Sequence, residues 1–489
     1  MAERQSIKLS PMDNVMPRIY ANFIFSFRLN PGPISRVYEV LQESLQRTCD
    51  ELPILAQRVF TLPPDENGVT GKLEVRESVE WTPSVVFNDL CESWPDYDEL
   101  VDSGLEQDLL DGALLLPKEI GGHELEEDGA PVLVAQANFV QGGLLLAFGI
   151  FHPVIDGHSG SLLMKLWAKH SRSLQQENAD VAPTLAMHPE SADYGLLERI
   201  WRNKARMTEP TEILKSVSQQ TWRLLGLLAP SEPSTTTDLN ACSPKMRTTI
   251  FYVPASNFEA LRNEANQPRL GGPPISTQNT ANDALMAKLW RCTIKARAEA
   301  ASETDSSYAP DVVSLLDLTL DGRALFSQEL PWSYMGTLVF ISTTPMSVGK
   351  ITDAQTSLTE IATNIRQSVQ AITTERLQEA FGLARSLPDY GKSLRFPFAT
   401  FEGAEACFTS WIGLSAFDIG FGDVLFANGG RADYLRPPRR EYDSFCRRCV
   451  VLPMQVSGGF EILVTMKDKE MDALEADEEF TRYAKVVCH

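Results

Sequence analysis

The side chains best suited to chemistry lie in one short segment, Phe151-His152-Pro153-Val154-Ile155-Asp156-Gly157. The segment follows an apolar run, residues 144–151, which is too short to span a membrane and predicts a buried strand. An imidazole at the end of a rigid, dry strand is well placed as a general base, because its surroundings can tune its ordinary pKa of about 6.5. A core histidine bonded to backbone fits these seven residues equally well.

Histidine is scarce in this chain, which narrows the choice of base. The histidines are His123, His152, His158, His170, His188 and His489. Apart from the terminal His489 they all precede residue 190, so an imidazole base must come from the first half. His158 and His170 fall in or beside a helical pattern, and only His152 follows a predicted buried strand.

Other chemistries find little support in the sequence. His152, Asp156 and His158 offer two imidazoles and a carboxylate, but Pro153 stiffens the loop and no second cluster supports a metal. There is no G-x-S-x-G elbow, P-loop or complete dinucleotide fingerprint. The single CxxC at 446–449 lacks a second pair, so we expect free buried thiols and no metal.

Length and charge bound the fold and the partners. A chain of 489 residues is too long for one core and predicts two or three domains. The net charge of -21 argues against nucleic acid or an anionic membrane as partner, so any anionic ligand needs a local basic patch. Without a long apolar stretch or an apolar signal core, we expect a cytoplasmic protein, and nothing demands more than a monomer.

Strands and helices mix in both halves of the sequence, which predicts a two-domain α/β protein. The predicted helices cover 33–48, 159–173 (capped by Ser159), 255–264, 280–298, 354–377 and 469–487. The predicted strands cover 73–75, 132–139, 144–151, 247–253, 312–318, 338–342, 447–455 and 460–466. A helical region over 194–228 leads to a polar linker, which divides the chain into domains 1–225 and 246–489 joined by 226–245.

Two separated motifs resemble those of the BAHD acyltransferases. His152-Pro-Val-Ile-Asp156-Gly157 matches their HxxxDG motif, and Asp418-Ile419-Gly420-Phe421-Gly422 matches DFGWG with Ile for Phe and Phe for Trp. Shorter matches are Leu9–Asp13 to LSPLD, Asn282–Leu285 with Trp290 to NDAL…W, Asp321–Arg323 to DGR, Tyr334–Thr337 to YxGN with Thr for Asn, and Thr409–Trp411 to SSW. Residues 472–485 look most like fungal members, in particular the trichothecene 3-O-acetyltransferases.

The resemblance implies both a fold and a reaction. The fold would be two similar-sized, chloramphenicol-acetyltransferase-like domains, each a mixed sheet flanked by helices, with the active-site channel between them. The reaction would transfer an acyl group, with acetyl expected, from acyl-CoA to a hydroxyl or amine of a fungal secondary metabolite. Acyl-CoA is then the co-substrate, no metal is needed, and the other partner is a small-molecule acceptor.

The resemblance also assigns roles to single residues. His152 would take the acceptor's proton without a covalent acyl-enzyme. Asp156 would pair with Arg323 and hold the loop, although a turn-forming Asp-Gly explains the same residues. Structural support near the CoA channel would come from Gly157, Asp418, Gly420 and Gly422, the last two by allowing a tight backbone path.

Position in the sequence suggests ligands for the oxyanion and for the CoA phosphates. Candidate oxyanion donors are Thr409, Ser410 and Trp411. Candidate phosphate ligands form the densest basic cluster after the second motif: Arg431, Arg436, Arg439 and Arg440. Rivals for the phosphates are Lys288, Arg291 and Lys295, whose spacing also describes a solvated helix face.

Three alternatives stay open. A condensation-type enzyme would act on carrier-protein thioesters, but Phe151 replaces the first histidine of its HH pair and the second motif is present. A repurposed family member would use His152 as the base for a CoA-independent cyclisation. An acyl-CoA-binding protein without turnover would not need the intact His152 and Asp156.

Overall fold

The structure, a computed structural model, describes residues 6–77, 82–117, 125, 129–176, 187–204, 210–232, 245–267, 278–302, 308–391, 393–397, 403–439 and 447–489. The strands are β1 (Ser6–Lys8), β2 (Tyr20–Arg28), β3 (Gln57–Thr61), β4 (Leu73–Glu77), β5 (Val85–Asp89), β6 (Ala130–Pro131), β7 (Leu133–Val140), β8 (Gly143–Phe151), β9 (Met246–Val253), β10 (Val313–Asp321), β11 (Val339–Ser347), β12 (Ala406–Ser410), β13 (Tyr434–Arg436), β14 (Arg448–Val451), β15 (Phe460–Lys467) and β16 (Lys485–Cys488). The helices are α1 (Pro11–Asn14), α2 (Ile34–Glu51), α3 (Tyr97–Asp102), α4 (Gly112–Leu115), α5 (Gly157–Gln175), α6 (Leu196–Lys204), α7 (Pro210–Ser216), α8 (Gln219–Leu224), α9 (Ala255–Glu264), α10 (Ala281–Ser302), α11 (Arg323–Phe326), α12 (Val348–Thr352), α13 (Leu358–Gln370), α14 (Thr374–Arg385), α15 (Asp468–Ala476) and α16 (Glu478–Thr481).

Three sheets organise the described residues. A five-stranded sheet has the order β13-β2-β8-β7-β5, a seven-stranded sheet the order β11-β10-β12-β14-β15-β9-β16, and a four-stranded sheet the order β1-β4-β3-β6. The two larger sheets are mixed, because β5–β7, β10–β12 and β12–β14 are parallel while their other pairs are antiparallel. The predicted α/β class with mixed sheets is therefore confirmed. No helix within these ranges is long and apolar enough to cross a bilayer.

The five-stranded sheet holds the strand that leads to the histidine motif. Strand β8 is buried along its whole length because β2 and β7 flank it and apolar side chains of α2 and α5 cover the sheet. The indole of Trp167 on α5 donates to the carbonyl oxygen of Leu41 and to the hydroxyl of Ser44, both on α2, at 3.2 and 2.9 Å. Each large apolar side chain buried here contributes about 1.5–3 kcal/mol. The end of β8 is consequently a rigid position.

The C-terminal half contributes to this first sheet and its core. Strand β13 pairs with β2, and Phe421 and Phe426 pack against Phe27 of β2 with ring centroids 5.3 and 5.6 Å apart. Segments of the second half thus complete the core of the first. The proposed boundaries at 226–245 stay a prediction, and most of that linker lies outside the described residues.

The structure corrects the limits of three predicted helices. Helix α5 is capped by Asp156 and not by Ser159, whose hydroxyl instead completes a capping box. The predicted helix 354–377 is two helices, because Thr373 caps a new start at α14. The predicted helix 469–487 ends at Ala476, and the chain finishes in β16, an edge strand that pairs with β9. Helical spacing alone misses such breaks, since a cap can restart or end a helix inside a periodic pattern.

Candidate active site

His152 lies immediately beyond the end of β8. Its backbone N–H donates to the carbonyl oxygen of Ile19 at 2.9 Å, and the N–H of Val154 closes a turn onto the carbonyl of Phe151 at 2.9 Å. The imidazole is partly buried, and among the described residues its Nδ1 finds no hydrogen-bond partner of ordinary geometry. These hydrogen bonds fix the backbone of His152 at the end of β8.

Burial lowers the pKa of the His152 imidazole below its usual value of 6.5, because the charged form is poorly solvated there. The residue's own backbone carbonyl and the charge on Asp156 oppose this change without reversing it. His152 is therefore neutral at pH 7 and carries a lone pair that can accept a proton.

Asp156 caps the helix that follows the histidine loop. Its Oδ1 accepts from the backbone N–H of Ser159 at 3.1 Å and from the Ser159 hydroxyl at 2.8 Å. The oxygen of that hydroxyl in turn accepts from the backbone N–H of Asp156 at 3.1 Å. A carboxylate at this position also interacts favourably with the helix dipole. Asp156 thereby fixes the start of α5, four positions after His152.

The same carboxylate forms a two-pronged ion pair with Arg323. Arg323 Nη1 lies 2.9 Å from Oδ2 and Nη2 lies 3.0 Å from Oδ1, with only 1% of Asp156 and 3% of Arg323 exposed. Burial alone would raise the pKa of Asp156, but the Arg323 charge and the hydrogen bonds outweigh it and set that pKa at about 2. The ion pair expected from the family resemblance is formed. Both carboxylate oxygens of Asp156 bind Arg323, which does not favour Asp156 as a triad partner of His152.

A loop from the C-terminal half joins these groups. Arg323 also donates to the carbonyl oxygens of Tyr334 and Gly336, at 3.0 and 2.9 Å. The backbone N–H of Leu338 donates to Asp156 Oδ2 at 3.1 Å. The Thr337 hydroxyl donates to the carbonyl oxygen of His152 at 2.8 Å. His152 consequently lies where the two halves of the chain meet.

Asp13, which the sequence offers only as part of the LSPLD match, anchors this loop to the N-terminal segment. It is fully buried and accepts from the N–H of Ser10 at 2.7 Å and from the N–H of Thr337 at 2.8 Å. Burial raises its pKa to about 7, and the nearby charge of Asp156 acts in the same direction. The sequence signs of this contact are the two motif matches that contain its partners, Leu9–Asp13 and the YxGN-like element with Thr337.

The second motif lies at the other end of α5. Arg172 donates to the carbonyl oxygen of Gly420, and Ser171 and Gln175 donate to that of Phe421 at 2.7 and 2.5 Å. Because Arg172 is sixteen positions beyond the helix cap, this contact is about 24 Å along the axis from the histidine loop. The motif is too distant to touch a group reacting at His152.

The glycines of the second motif have steric reasons to be glycine. Gly422 has φ +115°, and a Cβ there would lie 2.4 Å from the Gln175 amide nitrogen. A Cβ on Gly420 would lie 2.5 Å from the carbonyl oxygen of Gly429. Asp418 is exposed. The structural role expected for Gly420 and Gly422 fits these contacts, while the structure gives Asp418 no comparable packing.

The candidate oxyanion donors come at the end of β12, near the histidine loop. The Trp411 ring packs against Phe23 of β2 with centroids 5.1 Å apart, which ties β12 to the first sheet. The following residues reach the first turns of α5: the Ser161 hydroxyl donates to the carbonyl of Ser415 at 3.0 Å, and a Cβ on Gly157 would touch Leu414 at 3.3 Å. The oxyanion role of Thr409, Ser410 and Trp411 stays a prediction.

The four candidate phosphate ligands differ in burial and in ion pairing. Arg436 is fully buried and forms an ion pair with Glu461, so the prediction that it meets a phosphate at a channel mouth is wrong. Arg439 is exposed and lies 3.3 Å from Asp108. Arg431 is exposed and has no ion pair within the described ranges. Arg440 lies outside the described residues.

The rival basic cluster is not a solvated helix face. Lys288 and Arg291 are buried, and their side chains meet the carboxylate of Glu479 at 2.8 and 3.4 Å. Lys295 reaches the same carboxylate at 3.2 Å. Burial alone would raise the pKa of Glu479, but the three cations outweigh it and lower that pKa to about 2. All three cations are therefore paired with a carboxylate of the C-terminal half.

The donor atoms considered for a metal do not converge at the histidine loop. Asp156 is taken by Arg323, and His158 Nε2 lies 2.8 Å from the carbonyl oxygen of Trp332. Elsewhere in the described residues Cys292, Asp477 and Glu479 bring donor atoms within 4.8 Å, but the lysines and the arginine of α10 already neutralise these carboxylates. His123 and Cys446 lie outside the described residues.

Comparison with family models identifies the protein family of this chain. The model described as the Transferase family matches residues 113–481, well over half of the chain. The chain belongs to this family. A second model, for a trichothecene 3-O-acetyltransferase-like N-terminal domain, matches residues 19–170 and so includes the histidine motif. The resemblance predicted from the motifs is therefore confirmed.

Comparisons with individual proteins give the following similarities. The chain is 29% identical to the isocyanide synthase-NRPS hybrid crmA of Aspergillus fumigatus over 99% of its own length, which is only 31% of that protein. It is 27% identical to the eremophilane O-acetyltransferase prx11 of Penicillium rubens over 98% of both chains. The structure of TRI101 from Fusarium sporotrichioides, solved with coenzyme A and T-2, has a TM-score of 0.73 and 22% identity, covering 99% of this chain and 100% of that one. This likeness confirms the fold class.

Proposed function

We propose that the chain is an acyl-CoA-dependent O-acyltransferase that uses His152 as its general base. The observation that carries the proposal is the place of His152: a neutral imidazole at the end of a buried strand, held at the junction of the two halves. Membership of the Transferase family and the similarity to an eremophilane O-acetyltransferase support acyl transfer as the reaction.

The proposed reaction is a direct transfer without an acyl-enzyme. His152 takes the proton of the acceptor hydroxyl, and the oxygen attacks the thioester carbonyl. The tetrahedral intermediate collapses, the C–S bond breaks, and the imidazolium returns the proton to the CoA thiolate. A positioned base of this kind typically supplies about 10²–10⁴-fold in rate, and orientation of the two substrates supplies several kcal/mol more.

Asp156 and Arg323 support this reaction without joining it. Their buried pair holds the start of α5, and the histidine loop connects that start to β8. Since the pKa of Asp156 is about 2, it stays ionised throughout the physiological pH range and cannot exchange protons with substrate. We therefore assign it a structural role.

The far end of the site is proposed to hold the phosphates of CoA. Coenzyme A is a long molecule, so its phosphates must bind well away from the reacting thioester. Arg431 follows the second motif and forms a β-bridge to Gly420, about 24 Å along α5 from the histidine loop. Its exposed guanidinium offers an anion a local positive charge despite the acidic chain.

The relatives suggest the kind of acceptor. One is named for the eremophilane skeleton and another for the trichothecene 3-hydroxyl, and a solved relative contains both coenzyme A and T-2. We propose a hydroxyl of a secondary metabolite of this kind as the acceptor and acetyl as the acyl group.

The test offers the full chain acetyl-CoA together with a panel of eremophilane and trichothecene alcohols. Release of free thiol and formation of the acetylated product by mass spectrometry are followed together, with acceptor-free reactions as the control for hydrolysis. We expect equal amounts of thiol and ester for at least one acceptor. Conversion of a panel alcohol without any acyl-CoA, or transfer only from a carrier-protein thioester, contradicts the proposal.

A further inference from the structure

Arg297 on α10 carries a buried positive charge. Only 5% of the residue is exposed, and it forms no ion pair with a carboxylate of the described residues. Its Nη1 donates to the backbone carbonyl oxygen of Glu405 at 2.6 Å, while Nε finds no partner within the same ranges. Burial and the nearby charge of Arg447 lower the pKa of Arg297 to about 10, so the guanidinium is still charged at pH 7. A buried charge of this kind is costly unless an anion compensates it.

The carboxylates near this guanidinium have other partners or face solvent. Glu470 binds Arg447 with both oxygens, at 2.5 Å to Nη2 and 3.0 Å to Nε. Asp317 accepts from the Thr343 hydroxyl at 2.5 Å. Glu405 is an exposed residue, so water and salt screen its charge. None of these three carboxylates forms an ion pair with the guanidinium on α10.

Arg297 borders a cavity of about 40 Å³ where β12 and β14 begin. One water molecule needs about 10–15 Å³ of such space, so the cavity has room for a few waters or one small ion. Among the described residues, three arginines and two carboxylates line it: Arg297, Arg447, Arg448, Asp317 and Glu405. The cavity thus offers an anion a position beside the buried guanidinium.

The chemistry of the site favours a small anion with a single charge. One guanidinium lacks a carboxylate partner, so one negative charge compensates it. A doubly charged sulfate or phosphate would bring an excess of negative charge close to Asp317 and Glu405, which line the same cavity. A guanidinium is weakly hydrated and presents several N–H donors, so it gives up water readily to a monovalent anion such as chloride.

We propose that Arg297 and the cavity at the start of β12 and β14 bind a small monovalent anion of the chloride type, which is the counter-ion of the buried guanidinium. The site lies at the opposite end of β12 from Thr409 and Ser410, the candidate oxyanion donors. The anion stabilises the C-terminal half and takes no part in the proposed acyl transfer, so the inference does not depend on that function.

The solution test follows thermal unfolding of the full chain while sodium chloride replaces sodium gluconate at constant ionic strength. Gluconate is too large for the cavity and serves as the inert anion. An anion that binds only the folded protein raises the unfolding midpoint, and we expect a rise of about 1 °C or more that saturates by about 200 mM chloride. A midpoint that does not change with chloride overturns the proposal.

Two variants separate the site from general effects of salt. Arg297→Met removes the guanidinium at similar length and should abolish the rise, and Arg297→Gln replaces it if the methionine variant does not fold. Arg262→Met is the matched control, because Arg262 is also a helix arginine but its side chain is 46% exposed. The control should keep the full rise. An equal rise in wild type and in the Arg297 variant overturns the proposal.

A second measurement needs only the wild-type protein. In crystals grown with sodium bromide, the anomalous signal locates bound bromide, and we expect a peak in contact with the Arg297 guanidinium. Absence of that peak overturns the proposal. A peak without the chloride dependence in solution marks an adventitious ion only, and it overturns the proposal as well.

Discussion

The substitution Asp156→Asn tests the buried ion pair that holds the histidine loop. It keeps the shape of the side chain but removes the charge opposite Arg323, which lies 2.9 and 3.0 Å away. In the wild type the Leu338 N–H and the Arg323 guanidinium donate to the two carboxylate oxygens. The amide nitrogen of asparagine is itself a donor, so it cannot replace one of these acceptors. Loss of one partner from a buried pair costs about 3–5 kcal/mol. The fall of the Asp156 pKa from 3.8 to about 2 corresponds to about 2.5 kcal/mol, so we expect a loss near 3 kcal/mol.

Urea unfolding followed by circular dichroism measures this loss. The matched control is Asp321→Asn, because Asp321 lies 2.8 Å from the same guanidinium but its side chain is 45% exposed, so its loss costs below about 1 kcal/mol. The lowered pKa also sets the pH dependence: the contribution of Asp156 is complete above pH 4 and is lost as the pH falls toward 2. The difference between wild type and Asp156→Asn should shrink over that range. A midpoint for Asp156→Asn no lower than that of Asp321→Asn refutes the reasoning.

Two further predictions concern turnover. Because burial lowers the pKa of His152, the acid limb of kcat/KM should have its midpoint below pH 6.5, with activity lost as the pH falls; a midpoint above 6.5 in a profile from pH 5 to 8 contradicts this. Arg431→Ala should raise the KM for acetyl-CoA about threefold or more with kcat unchanged, and the effect should weaken with added salt. Arg439→Ala is the control: because Arg439 already pairs with Asp108, its replacement should change this KM by less than about twofold. Equal KM values in wild type and Arg431→Ala remove Arg431 as a phosphate ligand.

The histidine loop was predictable because its signals are local. The apolar run before His152 predicts a buried strand, and β8 covers Gly143–Phe151. The loop and the start of α5 follow from the same stretch of sequence, although the capping residue is Asp156 and not Ser159. The pairing of Asp156 with Arg323 spans 167 positions, so the family resemblance and not any local pattern pointed to it.

The contacts that sequence reasoning missed depend on burial and on chain crossing. Arg436 belongs to a basic cluster in the sequence, but β13 adds it to the five-stranded sheet, and Glu461 of β15 in the seven-stranded sheet pairs with it in the interior. Helical spacing likewise made Lys288 look solvated, although packing of α10 buries it. The link from Asp13 through Thr337 to His152 joins three distant segments by single hydrogen bonds, which leave no periodic trace in a sequence.

The most direct test of the central claim is the kcat of His152→Ala for transfer from acetyl-CoA to an accepted alcohol. His158→Ala is the matched control, since His158 lies six positions on and its ring meets the carbonyl oxygen of Trp332 instead of the proposed reaction centre. With unfolding midpoints equal to wild type, kcat should fall about 10²–10⁴-fold in His152→Ala and stay within about twofold in His158→Ala. A folded His152→Ala protein that keeps wild-type kcat would show that the base lies elsewhere.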